Sequence, residues 1–371
     1  MKVDDGFIHS KFSLNGNSYD KTSLKELSYD FIKEGSTFEK SVGNFLSGWL
    51  NEKTTLKVKT SGSTGTPKDI LLQKQRMVNS ALATGDYFNL KEGNTALLCL
   101  PTDYIAGKMM LIRAMVLGLK LDYVEPSSSP LMASSNAYDF VAMVPLQLEN
   151  SLDKIENINT LIVGGAAMSQ SLKEKVQNKS TAVFETYGMT ETITHVAVKR
   201  INAVLSSAVE TSSTARTNSK SISFKAIPNV LFSKDDRDCL VISAPKVSEH
   251  SVITNDVVNL VSNIEFELLG RYDNVINSGG IKLFPEQIEA KVASLLRNRF
   301  FVAGLPDEKL GQKLVLVVEG KIDSSKLMES METLVGLEQF ELPKNIYTRP
   351  HFIETNSGKI RRNENLRLIK G

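Results

Sequence analysis

Thr60-Ser61-Gly62-Ser63-Thr64-Gly65-Thr66-Pro67-Lys68 follows directly on the alternating run Leu56-Lys57-Val58-Lys59. Side chains this small let backbone N–H groups close around phosphate oxygens. The hydroxyls add donors, and Lys68 adds a point charge. A Walker A loop is excluded, because it needs Gly before its lysine and Ser or Thr after it. Pro67 and Asp69 stand in those places. Taken alone, the stretch is a phosphate cradle or a polar surface turn.

Five further stretches narrow the choice. Phe184-Glu185-Thr186-Tyr187-Gly188-Met189-Thr190-Glu191 ends an apolar run that begins at Thr181. In a parallel α/β domain ligands sit beyond the carboxyl ends of strands, where this segment puts its polar residues. Tyr187 offers a flat face for a nucleobase, Gly188 permits close backbone approach, and Thr190 can donate to phosphate. Glu191 can hold Mg²⁺, which commonly takes one or two carboxylates plus substrate phosphates. A strand followed by a helix cap explains the same residues without a ligand. Upstream, Thr160-Leu161-Ile162-Val163-Gly164-Gly165-Ala166 reads as a buried strand ending in paired glycines, and Ser171 with Glu174 has capping-box spacing. Downstream come Ile253-Thr254-Asn255-Asp256, then Gly270-Arg271-Tyr272-Asp273, then Ser278-Gly279-Gly280-Ile281. Pro285 and Glu286 suit the first turn of a helix, and Gly279-Gly280 alone reads as a hairpin turn.

These segments, with Glu354-Thr355-Asn356-Ser357-Gly358-Lys359-Ile360 near the end of the chain, occur in the order found in the acyl-adenylate-forming (AMP-binding) enzymes, and the chain resembles that family from about residue 55 onward. The resemblance implies a large α/β N-terminal domain with a mostly parallel sheet over residues 1–270. A small mobile α+β C-terminal domain over 271–371 would follow, with its hinge near Asp273. It implies ATP, Mg²⁺ and coenzyme A as ligands. The loop residues Thr60, Ser61, Gly62, Ser63, Thr64, Gly65 and Lys68 would hold phosphate. Gly164, Gly165, Ala166, Tyr187 and Gly188 would line the adenine, and Thr190 and Glu191 would meet phosphate and magnesium. Asp256 would accept from the ribose hydroxyls, Arg271 would contact ribose or phosphate, and Gly279 and Gly280 would line the thiol tunnel. Lys359 would be the catalytic lysine. The chain departs from the family's Thr-Gly-Asp by having Asn255 for the glycine. It departs again in having only 59 residues before Thr60, so part of the usual N-terminal subdomain is expected to be reduced.

Pro101-Thr102-Asp103-Tyr104-Ile105-Ala106-Gly107-Lys108 falls where relatives carry an acyl-pocket gate, so Tyr104, Gly107 and Lys108 are candidate pocket residues. Lys108 either pairs a second carboxylate on the substrate or is an exposed first-turn lysine. This segment, the shortness of the chain and the opening from Phe7 to Gly16 resemble the compact o-succinylbenzoate–CoA ligases of bacterial menaquinone synthesis. That resemblance implies an acid–thiol ligase acting on an aromatic dicarboxylate. A synthetase for another small acid, or a non-catalytic nucleotide-binding relative, remains as an alternative.

Composition agrees with a large domain plus a small one: 371 residues, 41% hydrophobic and 23% charged. A net charge of +2 gives no electrostatic case for nucleic acid or an anionic membrane. Oligomeric state stays open, a homo-oligomer included. Cys99 and Cys239 lie in strand-like runs and read as reduced core residues. No signal segment or membrane-length apolar run occurs, so a cytoplasmic protein is expected. The histidines His9, His195, His250 and His351 lack metal-ligand spacing, and no Gly-x-Ser-x-Gly elbow is present. A capping box of Ser23 with Glu26 starts a helix, and Phe38, Val42, Phe45, Leu46 and Trp49 keep a helical period after it. Strands are expected at 95–100, 120–124, 140–144, 161–163 and 181–184, with helices at 108–117 and 171–177 between them. That alternation argues for a largely parallel sheet. Residues 206–220, rich in Ser and Thr, read as a mobile loop or wide hairpin.

Overall fold

Asp20 and Ser36 set the first two helices, Lys21–Glu34 and Thr37–Leu50, each through a reciprocal cap with the third helical residue, Ser23 and Glu39. The caps satisfy N–H groups that have no partner inside the helix. The expected box of Ser23 with Glu26 is thereby corrected: Ser23 answers Asp20, three residues earlier. Phe38, Val42, Phe45, Leu46 and Trp49 are all buried, as their spacing requires. The computed structural model describes residues 8–59, 69–133, 136–202, 223–354 and 360–369. Expectations for 206–220 fall outside them.

A hairpin follows, in which Thr55–Lys59 pairs antiparallel with Asp69–Gln73 and Lys59 faces Asp69. Leu56, Val58 and Leu72 bury its inner face in the main core. Residues 60–68 join these two strands and lie outside the described residues, and with them Thr60, Ser61, Gly62, Ser63, Thr64, Gly65 and Lys68.

The main sheet has thirteen strands and is mixed. Its parallel part runs Ala182–Gly188, Ile158–Val163, Tyr138–Met143, Thr95–Leu98 and Lys120–Tyr123 in spatial order. These are the five strands expected from the sequence, with ends displaced by up to four residues. Helix Ile105–Leu117 packs on them, and helix Gln170–Lys175 is capped by Ser169, whose Oγ accepts from the Leu172 N–H. The spacing of Ser171 with Glu174 is therefore not the cap. Past Gly188 the sheet turns antiparallel through His195–Arg200, Phe224–Ala226, Glu265–Arg271, Val252–Ser262, Cys239–Ser243 and Leu231–Lys234. The described connections among the last four strands hold no helix that could return the chain to a parallel start. The expectation of a mostly parallel sheet thus describes the half up to Gly188.

A second sheet has its own core. Ile276–Ser278, Ile281–Leu283, Phe300–Asp307, Gly311–Glu319 and Asn345–Arg349 form it, with helices Pro285–Val292 and Ser324–Glu332 against it. Pro285 occupies the first helical position and Glu286 the first turn, as the sequence suggested. Ile288, Val302, Leu314, Leu316 and Val318 are buried in this core. Between the two sheets lies only the short turn Tyr272–Asn274 and Val275. Cys99 and Cys239 are buried and free. Among the described residues no helix is long and apolar enough to cross a membrane.

Candidate active site

Parallel strands Tyr138–Met143, Ile158–Val163 and Ala182–Gly188 run in register, so their carboxyl ends open onto one edge. Gly164 leaves the middle strand there, its N–H bonded to the Met143 carbonyl. A Cβ on Gly164 would collide with Thr186 Oγ1, and Gly165 has φ +82°, a conformation that favours glycine. Gly164, Gly165 and Ala166 therefore form a shallow ledge beside the strand that carries Tyr187. Gly188 is as constrained: a Cβ there would overlap the Thr194 carbonyl and the His195 Cα.

That close approach comes from an unusual turn. Thr190–Thr192 is one turn of 3₁₀ helix, and Ile193 then adopts φ 66° and ψ −59°. Thr194 N–H donates to the Thr192 carbonyl at 2.7 Å, closing a three-residue γ-turn of the rarer hand. A buried β-branched residue in this region costs about 1–3 kcal/mol. Thr192 Oγ1, donating to the Met189 and Thr194 carbonyls, helps hold it. The turn presents Thr190 at the edge and leaves Glu191 exposed. Among the described residues the Glu191 carboxylate has neither an ion pair nor a hydrogen bond, which suits a residue kept for a cation.

On the antiparallel side, Tyr187, Asp256, Arg271 and Asp273 form one array. Tyr187 O–H donates to Asp256 Oδ2 at 2.5 Å. Burial and the Asp256 charge together push the phenol's pKa well above its ordinary value. Its ring is backed by Phe266 and Phe224 at 5.1 and 5.8 Å. Asp256 and Arg271 are register partners on adjacent strands, and their charges meet at 3.3 Å. Arg271 also reaches Asp273 at 3.6 Å. The residues named from sequence for base, ribose and magnesium thus lie on one connected edge. These groups fit a nucleotide: glycine ledges where side chains would intrude, an aromatic wall, and the acceptor carboxylates of Asp256 and Glu191.

Other candidates lie elsewhere. Gly279 and Gly280, at φ 59° and 86°, are the two-residue turn of the small sheet's first hairpin, with Ser278 facing Ile281. Tyr104 is exposed and precedes helix Ile105–Leu117. Gly107 is required there because a Cβ would strike the Pro101 carbonyl. Lys108 is not the exposed lysine considered above. It is buried, and its ammonium donates to the carbonyls of Thr102 and, at 2.9 Å, Asp103. Lys359 lies outside the described residues. The described residues on either side of it are held by a bridge between Glu354 and Ile360 and by Arg361 N–H donating to the Ile353 carbonyl at 2.9 Å.

Sequence reasoning missed the most unusual group near the site. Arg113, on the same helix as Gly107, is 2% exposed. Its guanidinium meets Thr84 Oγ1 at 3.3 Å, Thr194 Oγ1 at 3.4 Å and His195 Nδ1 at 3.5 Å. No carboxylate pairs with it among the described residues. Burial lowers its pKa to about 9, so it stays cationic at neutral pH. His195 is buried beside it, and burial plus the Arg113 charge hold the imidazole well below its usual range. The only sign in the sequence was a lone charge inside the apolar run Met109-Met110-Leu111-Ile112-Arg113-Ala114-Met115-Val116-Leu117.

Comparison with known proteins follows the same lines. Residues 58–227 match the family model described as AMP-binding enzyme. The 2-succinylbenzoate–CoA ligase of Listeria monocytogenes is 25% identical over 86% of this chain and 71% of its own length. A crystal structure from Dyadobacter fermentans, described as an acyl-CoA synthetase (AMP-forming)/AMP-acid ligase II-like protein, is 34% identical. It covers 93% of this chain and 98% of its own, with a TM-score of 0.60. The Bacillus subtilis o-succinylbenzoate coenzyme A synthetase, in complex with ATP and magnesium ion, shares the fold at 20% identity. Its TM-score is 0.68, over 93% of this chain and 82% of its own.

Proposed function

The chain belongs to the AMP-binding enzyme family, and we propose that it is an acid–thiol ligase whose acid is o-succinylbenzoate, the aromatic dicarboxylate of menaquinone synthesis. In this reading the substrate carboxylate attacks the α-phosphorus of ATP, giving acyl-AMP and pyrophosphate. The thiol of coenzyme A then attacks the acyl carbon and expels AMP. Positioning and charge neutralisation carry most of the rate in both steps.

Residues 60–65 and Lys68 hold the departing pyrophosphate, and Thr190 donates to phosphate. Adenine lies on the ledge of Gly164, Gly165 and Ala166 beside Tyr187 and Gly188. Asp256 takes the ribose hydroxyls, and Arg271 steadies Asp256. Glu191 holds Mg²⁺, whose charge offsets that of the phosphates when it is bound. Lys359 bridges carboxylate and α-phosphate. The small domain, from residue 271 with its hinge at Asp273, turns between the steps and brings Gly279 and Gly280 to the thiol path.

The observation that carries the choice of acid is Arg113. A buried guanidinium whose neighbours are hydroxyls, a thioether and a neutral imidazole is costly unless an anion completes it. It lies against Thr194, four residues past Thr190, which suits the distal carboxylate of a dicarboxylic acid. Lys108, already bonded to two carbonyls, is less suited. The name of the Listeria relative supports the same acid.

The test is acid-dependent pyrophosphate release from ATP, with o-succinylbenzoate beside benzoate, a cinnamate and short fatty acids, each with and without coenzyme A. A strong preference for o-succinylbenzoate, its thioester forming only with coenzyme A, is expected. Preference for a monocarboxylate would discard the acid and the role given to Arg113.

A further inference from the structure

Asn255 replaces the glycine of the family pattern, and its backbone does not need one, since its φ is not positive. Its side chain has two partners instead. Oδ1 accepts from Arg237 Nη1 at 2.9 Å, and Nδ2 donates to Asp273 Oδ2 at 3.3 Å. Arg237 is held in turn: Nε and Nη2 donate to Asp235 Oδ2 at 2.9 and 2.7 Å, and Nη2 also meets the Thr254 carbonyl at 3.1 Å. Its guanidinium lies 5.2 Å from the centre of the Tyr272 ring. One arginine therefore touches both the strand that carries Asp256 and the turn Tyr272–Asn274. A cationic donor on the amide oxygen of Asn255 polarises its N–H group toward Asp273.

From its other side the turn is tied to the small unit, where Asn274 Nδ2 donates to Glu286 Oε1 at 2.5 Å. Beside the turn is a cavity of about 590 Å³, bounded by Arg237 and Tyr272 and by Lys282 and Phe284 of the small unit. The turn has room to move there once it is released.

We propose that Arg237 and Asn255 form a latch that holds the turn Tyr272–Asn274 against the ribose strand and sets how readily the small unit rotates between half-reactions. Both act as positioning residues, through Asp273 and Tyr272. Only the kinetic arm of the test rests on the ligase reading.

The informative variant is Asn255→Asp. It keeps an acceptor for Arg237 but replaces the donor facing Asp273 with a like charge. Arg237→Met removes the hub and is the second variant. In both, amide hydrogen exchange at residues 272–275 should rise about tenfold, with exchange in strand Ile158–Val163 unchanged. The rates of acyl-AMP formation and of thioester formation from preformed acyl-AMP should move apart by at least about threefold, with the KM for ATP within twofold of wild type. Unchanged exchange at 272–275 in Asn255→Asp overturns the latch. So does an equal loss in both half-reactions with a raised KM for ATP, which would put Asn255 in the ribose site. If no acid is turned over, the ligase reading fails, and the exchange result still decides the latch.

Discussion

Arg113 and His195 form a buried pair of basic groups, of which only the arginine is charged at neutral pH. If the arginine only buttresses the turn after Glu191, its loss should harm every acid alike. If it receives an anion, Arg113→Met should lower kcat/KM for o-succinylbenzoate by about a hundredfold or more. That corresponds to about 3 kcal/mol for a charge-assisted contact, while a monocarboxylate should change by less than threefold. Stability of the Met variant should hold or rise, because an uncompensated buried charge is replaced by an apolar side chain. His195 makes a separate prediction. Its folded pKa is depressed below the unfolded value near 6.5, so the unfolded chain takes the proton first as pH falls. Its stabilising contribution is full above pH ~6.5 and is lost on acidification, at up to ~1.4 kcal/mol per pH unit. Denaturant titrations at pH 7.5 and 5.0 should show that loss, and His195→Gln should flatten it. Neither residue was legible in the sequence. Periodicity identifies a buried face, and an arginine on that face breaks the pattern without saying what it meets.

Elements were legible where the chain repeats a period, and less so where one side chain decides an end. The five parallel strands were found from apolar runs and intervening helices. Asp20 and Ser169 were missed as caps because Ser23 with Glu26 and Ser171 with Glu174 offered the same spacing three or two residues later. The antiparallel half was missed because its strands Leu231–Lys234 and Cys239–Ser243 are joined by a tight turn at Asp238, φ 64°, with no glycine to mark it. At the other end of the chain, helix Arg362–Arg367 follows Lys359 closely in sequence. Arg362 meets Glu289 through two contacts of 2.8 Å and donates to the Val302 carbonyl at 3.1 Å. Burial raises the Glu289 carboxyl to about 7, against the pull of Arg362. The two partners are therefore unequal. Arg362→Met removes both bonds to Glu289 and the one to the Val302 carbonyl and should cost about 3 kcal/mol. Glu289→Gln resembles a form that burial already favours and should cost about 1 kcal/mol. Equal losses in chemical denaturation would refute that asymmetry.

At the scale of the molecule, two sheets with separate cores meet at the turn Tyr272–Asn274. Asp256, proposed to take the ribose hydroxyls, lies on one side of it. On the other, Glu354 and Ile360, which flank Lys359 in sequence, bridge to each other, and Arg362 is bonded to Glu289. On the proposed two-step cycle, charge supplied by one unit to a reaction held by the other would be needed only while the two face each other, so the lysine should matter for one half-reaction. Lys359→Ala should reduce acyl-AMP formation by at least about a hundredfold, the usual scale for removing one group that stabilises developing charge. Thioester formation from preformed acyl-AMP and coenzyme A, which needs no charge between carboxylate and α-phosphate, should stay within about threefold of wild type. Both rates can be followed in single-turnover experiments, pyrophosphate release for the first and thioester absorbance for the second. A lysine that only stabilised the small sheet would slow both steps and lower the melting temperature. A loss confined to adenylation, with melting unchanged, would leave positioning by rotation of one unit against the other as the explanation of the two-step cycle.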